Sequence, residues 1–187
     1  SGRLVEGERE YKYVGGLETW LEVMRGKAGA DADGDGEADP WTLIQDLQQF
    51  EALQFGNTPA RVLGVPRVTT TLQQSRDTDR DSDEDENAAP FEVPFNESVP
   101  TLTMMTRGAL NVLDNDSDGL FLMVEGGAVD WASHANQSGR MIEEQIDFDH
   151  AVQAVIDWVE QNSSWDETLL IVTADHECGH LAGPDAG

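Results

Sequence analysis

The sequence holds one cysteine, Cys178, in 187 residues, so no disulfide can form within the chain and its redox compartment is unreadable. Basic side chains are scarce, 11 against 37 acidic ones, for a formal net charge of −26. Such a surface repels phosphate backbones, which excludes nucleic acid as a partner. Long apolar runs are also missing. The longest, Leu120 to Val124, is the length of a strand, whereas a membrane-spanning helix needs ~20 apolar residues. The first residues, Ser1-Gly2-Arg3-Leu4, have neither the basic region nor the apolar core of a signal peptide. What remains is a chain with 39% hydrophobic residues, enough to bury a core of ordinary size. Its acidic excess has two readings, a solvated, salt-adapted surface and cation binding, and the two are compatible.

Composition divides the chain into residues 1–99, irregular and acidic, and residues 100–187, a compact α/β unit. In the first part, residues 16–24 and 41–55 read as short helices and 61–65 as a strand. Residues 75–86 are nearly all charged and read as a loop. In the second part, Leu102, Met105, Ala109, Val112 and Leu113 recur at helical spacing. Leu120-Phe121-Leu122-Met123-Val124 reads as a strand buried on both faces. A long helix is predicted over 138–161, with an apolar stripe of Met141, Ile142, Phe148, Val152, Val155, Ile156 and Val159. Thr168 to Thr173 reads as a second buried strand. Strand, helix, strand makes a parallel crossover, so the predicted fold class is α/β, with functional groups at the carboxyl ends of the strands.

Polar clusters follow both apolar runs. Asp130 and His134 are one helical turn apart, so both can be aimed at one ion; Asp175 and His176 are adjacent, where a sharp turn exposes both. Zinc accepts imidazole nitrogen and carboxylate oxygen together, and two such pairs point to two ions of the kind that stabilise both oxygens of a phosphoryl transfer. Glu125 offers an oxygen donor suited to a harder ion such as magnesium. Cys178 stands two residues after His176, which makes metal contact conceivable, but a lone cysteine reads first as a small buried residue and is left out of the expected ligand set.

The blocks Val124-Glu125-Gly126-Gly127-Ala128-Val129-Asp130-Trp131-Ala132-Ser133-His134 and Val172-Thr173-Ala174-Asp175-His176 resemble two metal-binding blocks of the alkaline phosphatase family. The resemblance covers residues 100–183 and implies a partial doubly wound sheet flanked by helices, with residues 1–99 as an acidic insertion. It implies two zinc ions, one on Asp130 and His134 and the other on Asp175 and His176, and one magnesium on Glu125. It places Trp131 next to bound phosphate, as in bacterial members with large insertions. The implied activity is hydrolysis of small phosphate monoesters, in a periplasmic or secreted parent enzyme for which a homodimer is conceivable.

The family's nucleophile is a serine in an Asp-Ser-Ala motif, and Asp81-Ser82 and Asp116-Ser117 are each followed by Asp instead. The aspartate that bridges the metals, the arginine that grips phosphate and the threonine at magnesium are likewise not found. The chain is therefore expected to be a C-terminal-side piece, inactive alone. The third ligand of the first zinc lies beyond this sequence unless His180 folds back to replace it. His150 has no evident role. Two rivals stand beside this reading: a related metal-dependent phosphodiesterase or phosphomutase, and a non-catalytic calcium-binding acidic module. The second draws on Asp31, Asp33, Asp35 and Asp39, whose spacing suits a calcium loop and equally an acidic loop without metal. Asp114 to Gly119 has similar spacing but reads as a helix-to-strand turn.

Overall fold

The computed structural model describes residue 11 and residues 14–31, 34–68, 70–76 and 88–178. Among them are five helices, α1 (Leu17–Met24), α2 (Leu47–Leu53), α3 (Leu102–Leu113), α4 (Gly127–His134) and α5 (Ser138–Asn162). Four short strands, β1 (Gly29–Ala30), β2 (Asp39–Pro40), β3 (Thr42–Ile44) and β4 (Val62–Gly64), complete the elements. No described helix is long and apolar enough to cross a membrane. The chain forms two compact units. One comprises Ser1–Thr70, Ser98–Pro100 and Gly108–Leu122, the other Thr71–Glu97, Thr101–Arg107 and Met123–Gly187.

In the first unit, α1 buries Trp20 and Val23 against Tyr11, with Val14, Ala28, Leu43 and Leu63 packed around them. β1 and β2 pair antiparallel, and Arg61 donates to the carbonyls of Ala30 and Asp39, both at 3.2 Å, while its guanidinium lies 4.4 Å over the Trp41 ring. The helix expected over 41–55 is shorter. Thr42, Leu43 and Ile44 instead pair in parallel with Val62, Leu63 and Gly64, because β-branched residues with a partner strand favour the pleat. The helix starts after Asp46, whose N–H donates to the Gln49 side chain at 3.0 Å, half of a capping box. The parallel pair of this α/β chain thus lies in the stretch expected to be irregular.

In the second unit, α4 and α5 pack together. α4 ends in a left-handed residue, Asn136 (φ 58°), with Asn136 N–H donating to Ser133 and Gln137 N–H to Ala132, so the chain reverses before α5. A Cβ at Gly126 would lie 2.9 Å from Phe148, so only glycine lets the start of α4 rest on α5. A Cβ at Gly139 would collide with the Ala88 carbonyl, and glycine there admits the segment around Ala88 onto α5.

Two expectations are corrected here. Leu120–Val124 and Thr168–Thr173 join no ladder among the described residues, and Phe121, Met123, Leu169 and Ile171 are 89, 77, 82 and 71% exposed. Leu122, Val124 and Leu170 are half-buried in alternation with them, the period of an extended chain covered on one face. A strand is completed by a neighbour's hydrogen bonds, and no described segment supplies them, so the crossover does not close into a sheet. The stripe on α5 also shifts. Ile142 faces solvent, and the buried positions at the start of α5 are Arg140, Glu143 and Glu144.

The reason is an ion pair made across the unit. Arg76 Nη1 stands 2.7 Å from Glu143, with the two side chains 4% and 1% exposed. Arg140 approaches the same carboxylate at 3.4 Å, and Phe91 N–H donates to it at 2.6 Å. Arg76 also donates to the Val93 and Pro94 carbonyls and lies over the Phe95 ring. Burial alone would raise the Glu143 pKa, but the Arg76 hydrogen bond, the Phe91 N–H and the charges of Arg76 and Arg140 together hold it below the usual value. Glu144 goes the other way. Burial, aided by Asp147 and Glu143 and opposed by Arg76 and a backbone hydrogen bond from Gln74, raises its pKa to about 7, and its Oε1 has no hydrogen-bond partner.

Candidate metal centre

Asp130 and His134 occur on α4, one turn apart, where a helix sets side chains at i and i+4 on one face. His134 Nε2 lies 3.5 Å from Asp130 Oδ1. That oxygen is shielded from solvent and accepts no hydrogen bond, although the Asp130 side chain as a whole is 39% exposed. A shielded carboxylate oxygen without a donor costs free energy unless a cation completes it. Cys178 supplies the third group. Donor atoms of Asp130, His134 and Cys178 all lie within 4.8 Å of one another, the one such set of three among the described residues.

Asp175 and His176 do not join that set, although only Glu177 separates them from Cys178. The His176 N–H donates to Asp175 Oδ1 at 3.0 Å, and Nδ1 lies 2.8 Å from the Glu177 carbonyl. With the proton on Nδ1, donated to that carbonyl, Nε2 keeps the lone pair a metal needs. The Glu177 carbonyl and then Asp175 raise the His176 pKa; burial opposes them, and Asp130 and the Glu177 charge add lesser increases. The field of Asp130 thus reaches His176. Glu125 is exposed just before α4; its Oε1 would lie 3.1 Å from a Cβ at Gly127, which places the carboxylate over the first turn. Trp131 follows Asp130 on α4 and is 53% exposed.

The calcium-loop residues behave differently. The Asp31 carboxylate accepts Gly34 N–H at 2.7 Å and Gly36 N–H at 3.0 Å, and Asp35 accepts Glu37 N–H at 2.8 Å. Asp39 lies in β2, and Asp31, Asp35 and Asp39 form no three-donor group. Asp33 and His180 lie outside the described residues, as does Asp81-Ser82. Sequence reasoning left out Cys178. Its spacing from His176 was the available signal, but only the fold carries it back to α4.

An oxygen, a nitrogen and a sulfur donor brought together in this α/β chain form a group that could hold a metal ion. Comparison with known sequences gives the family. The alkaline phosphatase family profile matches residues 32–186. Repressible alkaline phosphatase of Saccharomyces cerevisiae is 39% identical over 165 residues, 83% of this chain and 26% of that protein. Alkaline phosphatase H of Pseudomonas aeruginosa is 30% identical over 187 residues, covering 87% of this chain and 35% of its own length. Alkaline phosphatase 3 of Bacillus subtilis is 39% identical over 90 residues, covering 48% and 19%. The chain belongs to the alkaline phosphatase family and spans about a fifth to a third of these relatives.

Proposed function

We propose that this chain forms the metal-binding part of an enzyme that hydrolyses phosphate monoesters. Asp130 and His134 hold one zinc, Asp175 and His176 a second, and Glu125 a magnesium. The observation that carries the reading is the convergence of Asp130 and His134 with a third donor, in a chain of this family. The donor set fits: imidazole and carboxylate suit zinc, and a cation would satisfy the shielded Asp130 Oδ1, which accepts no hydrogen bond.

When bound, the ions supply charge stabilisation for the oxygens that enter and leave phosphorus. The residues of this chain hold and orient. α4 keeps the Asp130 and His134 donors on one face, and the Glu177 carbonyl fixes the His176 ring so that Nε2 is available. The exposed indole of Trp131 offers an apolar wall beside the phosphate site. The nucleophilic serine, the bridging aspartate, the phosphate-binding arginine and the magnesium-binding threonine belong to sequence blocks not found here. The exposed apolar runs at residues 120–124 and 168–173 fit strands of a doubly wound sheet, with residues 1–99 as the insertion. A periplasmic or secreted, homodimeric parent is consistent with the family.

Equilibrium dialysis against zinc, magnesium and calcium tests this reading. We expect zinc to be retained, and lost on Asp130→Asn with His134→Ala. Retention of calcium alone would leave only an acidic cation-binding module.

A further inference from the structure

Three stretches of chain are tied to α5 by carboxylates set close together along it. Glu143 accepts the Phe91 N–H at 2.6 Å, Glu144 a backbone hydrogen bond from Gln74, and Asp147 the Leu102 N–H at 3.3 Å. The first two stretches are also joined to each other. The Gln73 side chain exchanges hydrogen bonds with the Asn96 backbone, and Arg76 donates to the Val93 and Pro94 carbonyls. The buried Gln74 amide reaches the Gln137 side chain, at the turn from α4 to α5. Together they make a strap across the start of α5, with Gln74 against Glu144. One group under it is left over. Glu144 is 9% exposed, and its Oε1 is shielded from solvent without a hydrogen-bond partner among the described residues.

We propose that Glu144 is the latch of a pH-sensitive strap: while it is neutral the stretch around Gln74 stays on α5, and its ionisation lifts that stretch and breaks the Gln74–Gln137 bond. The charges acting on Glu144 favour this. Asp147 and Glu143, on the same helix, repel a new carboxylate. Arg76, on the strap, attracts it, but Arg76 and Arg140 already engage Glu143, at 2.7 and 3.4 Å. Phe91 and Leu102 bring only backbone N–H groups, which the other two carboxylates occupy. A second buried negative charge beside Glu143, with one oxygen unbonded, is costly, and water relieves it once Gln74 moves away. The proton passes from the carboxyl to solvent. Burial sets the carboxyl of the closed strap at about 7, against 4.5 when exposed, so the strap is held fully below pH ~4.5 and loosens up to about pH 7. Arg76, paired with Glu143, keeps it tethered. The rival account is that Glu144 carries its charge inside a strap that stays closed.

Backbone hydrogen exchange of the unaltered chain reads this, each amide's rate being divided by its intrinsic rate at the same pH. Between pH ~5 and pH ~8 the protection of the Gln74 amide should fall ~10–100-fold. Phe91, held by a Glu143 carboxylate whose pKa is lowered, should keep its protection, as should Val159 further along α5. Glu144→Gln, neutral throughout, should abolish the fall. Asp147→Asn removes a like charge, so the fall should become smaller and end at lower pH. A fall shared equally by Gln74, Phe91 and Val159 would mean that the whole unit opens, and a level Gln74 profile would mean that the strap stays closed over a charged Glu144. Either result overturns the inference. Carboxyl-carbon NMR of the unaltered chain decides it without any variant. Titration of Glu144 near neutrality is expected, and titration near 4.5 would overturn the latch. No metal is added in these measurements, so their outcome is independent of the metal-site reading.

Discussion

Arg76 and Glu143 meet at 2.7 Å with almost no exposure to solvent, joining the stretch that begins at Thr71 to the first turns of α5. Removing one partner leaves a buried charge without its counter-ion, which costs about 3–5 kcal/mol. Arg76→Ala should therefore lower the stability of this unit by that order, seen as a lower urea midpoint. Arg67→Ala, which breaks an exposed pair with Asp46, should change it by less than about 1 kcal/mol. Equal effects from the two substitutions would mean the buried pair does not hold the segment.

Glu144 gives the unit a pH dependence of definite sign. Its pKa rises from 4.5 unfolded to about 7 folded, chiefly through burial, so the folded state holds a proton that the unfolded state releases. Its contribution is fully present below pH ~4.5 and declines as the pH rises to about 7. Glu144→Gln should remove this decline and raise stability at pH 8 by about 1–3 kcal/mol. Glu143, with a lowered pKa, acts oppositely, and its contribution is lost as the pH falls below the usual carboxylate range. Denaturant melts of wild type and Glu144→Gln from pH 5 to 8 check the slope; parallel curves would refute it.

Salt should stabilise the chain. A net charge of −26 repels itself, and raising ionic strength from ~0.01 M to ~1 M shortens the screening length from about 30 Å to about 3 Å. The melting temperature should rise over that range, and a curve indifferent to salt would count against a salt-adapted surface.

Alone, the chain should not turn over a chromogenic phosphate ester with zinc and magnesium supplied, because no Asp-Ser-Ala nucleophile is present. Chelator-sensitive turnover at enzyme-like rates would reveal a nucleophile among these residues.

Leu169 and Ile171, 82% and 71% exposed, touch little of their own unit. Replacing both with lysine should change stability by no more than about 0.5 kcal/mol per site and lower concentration-dependent association, read by light scattering. A large loss of stability would show that they are packed in solution.

Helices were legible where one face is apolar and ends are marked. α1, α3 and α5 stand within a residue or two of their expected spans, since periodicity is a local property. Asp130 and His134 were legible as a pair for the same reason, because helical spacing alone puts them on one face. Chain sequence thus determined α1, α3 and α5, the acidic charge, the two Asp–His pairs and the family. Tertiary structure decided the rest. It turned Thr42–Ile44 from helix to strand by supplying β4, and left Leu120–Val124 and Thr168–Thr173 unpaired because a strand is completed only by a neighbour. It also buried Arg140, Glu143 and Glu144 around Arg76, and carried Cys178 to Asp130, since contacts between residues far apart in sequence leave no periodic trace in either segment.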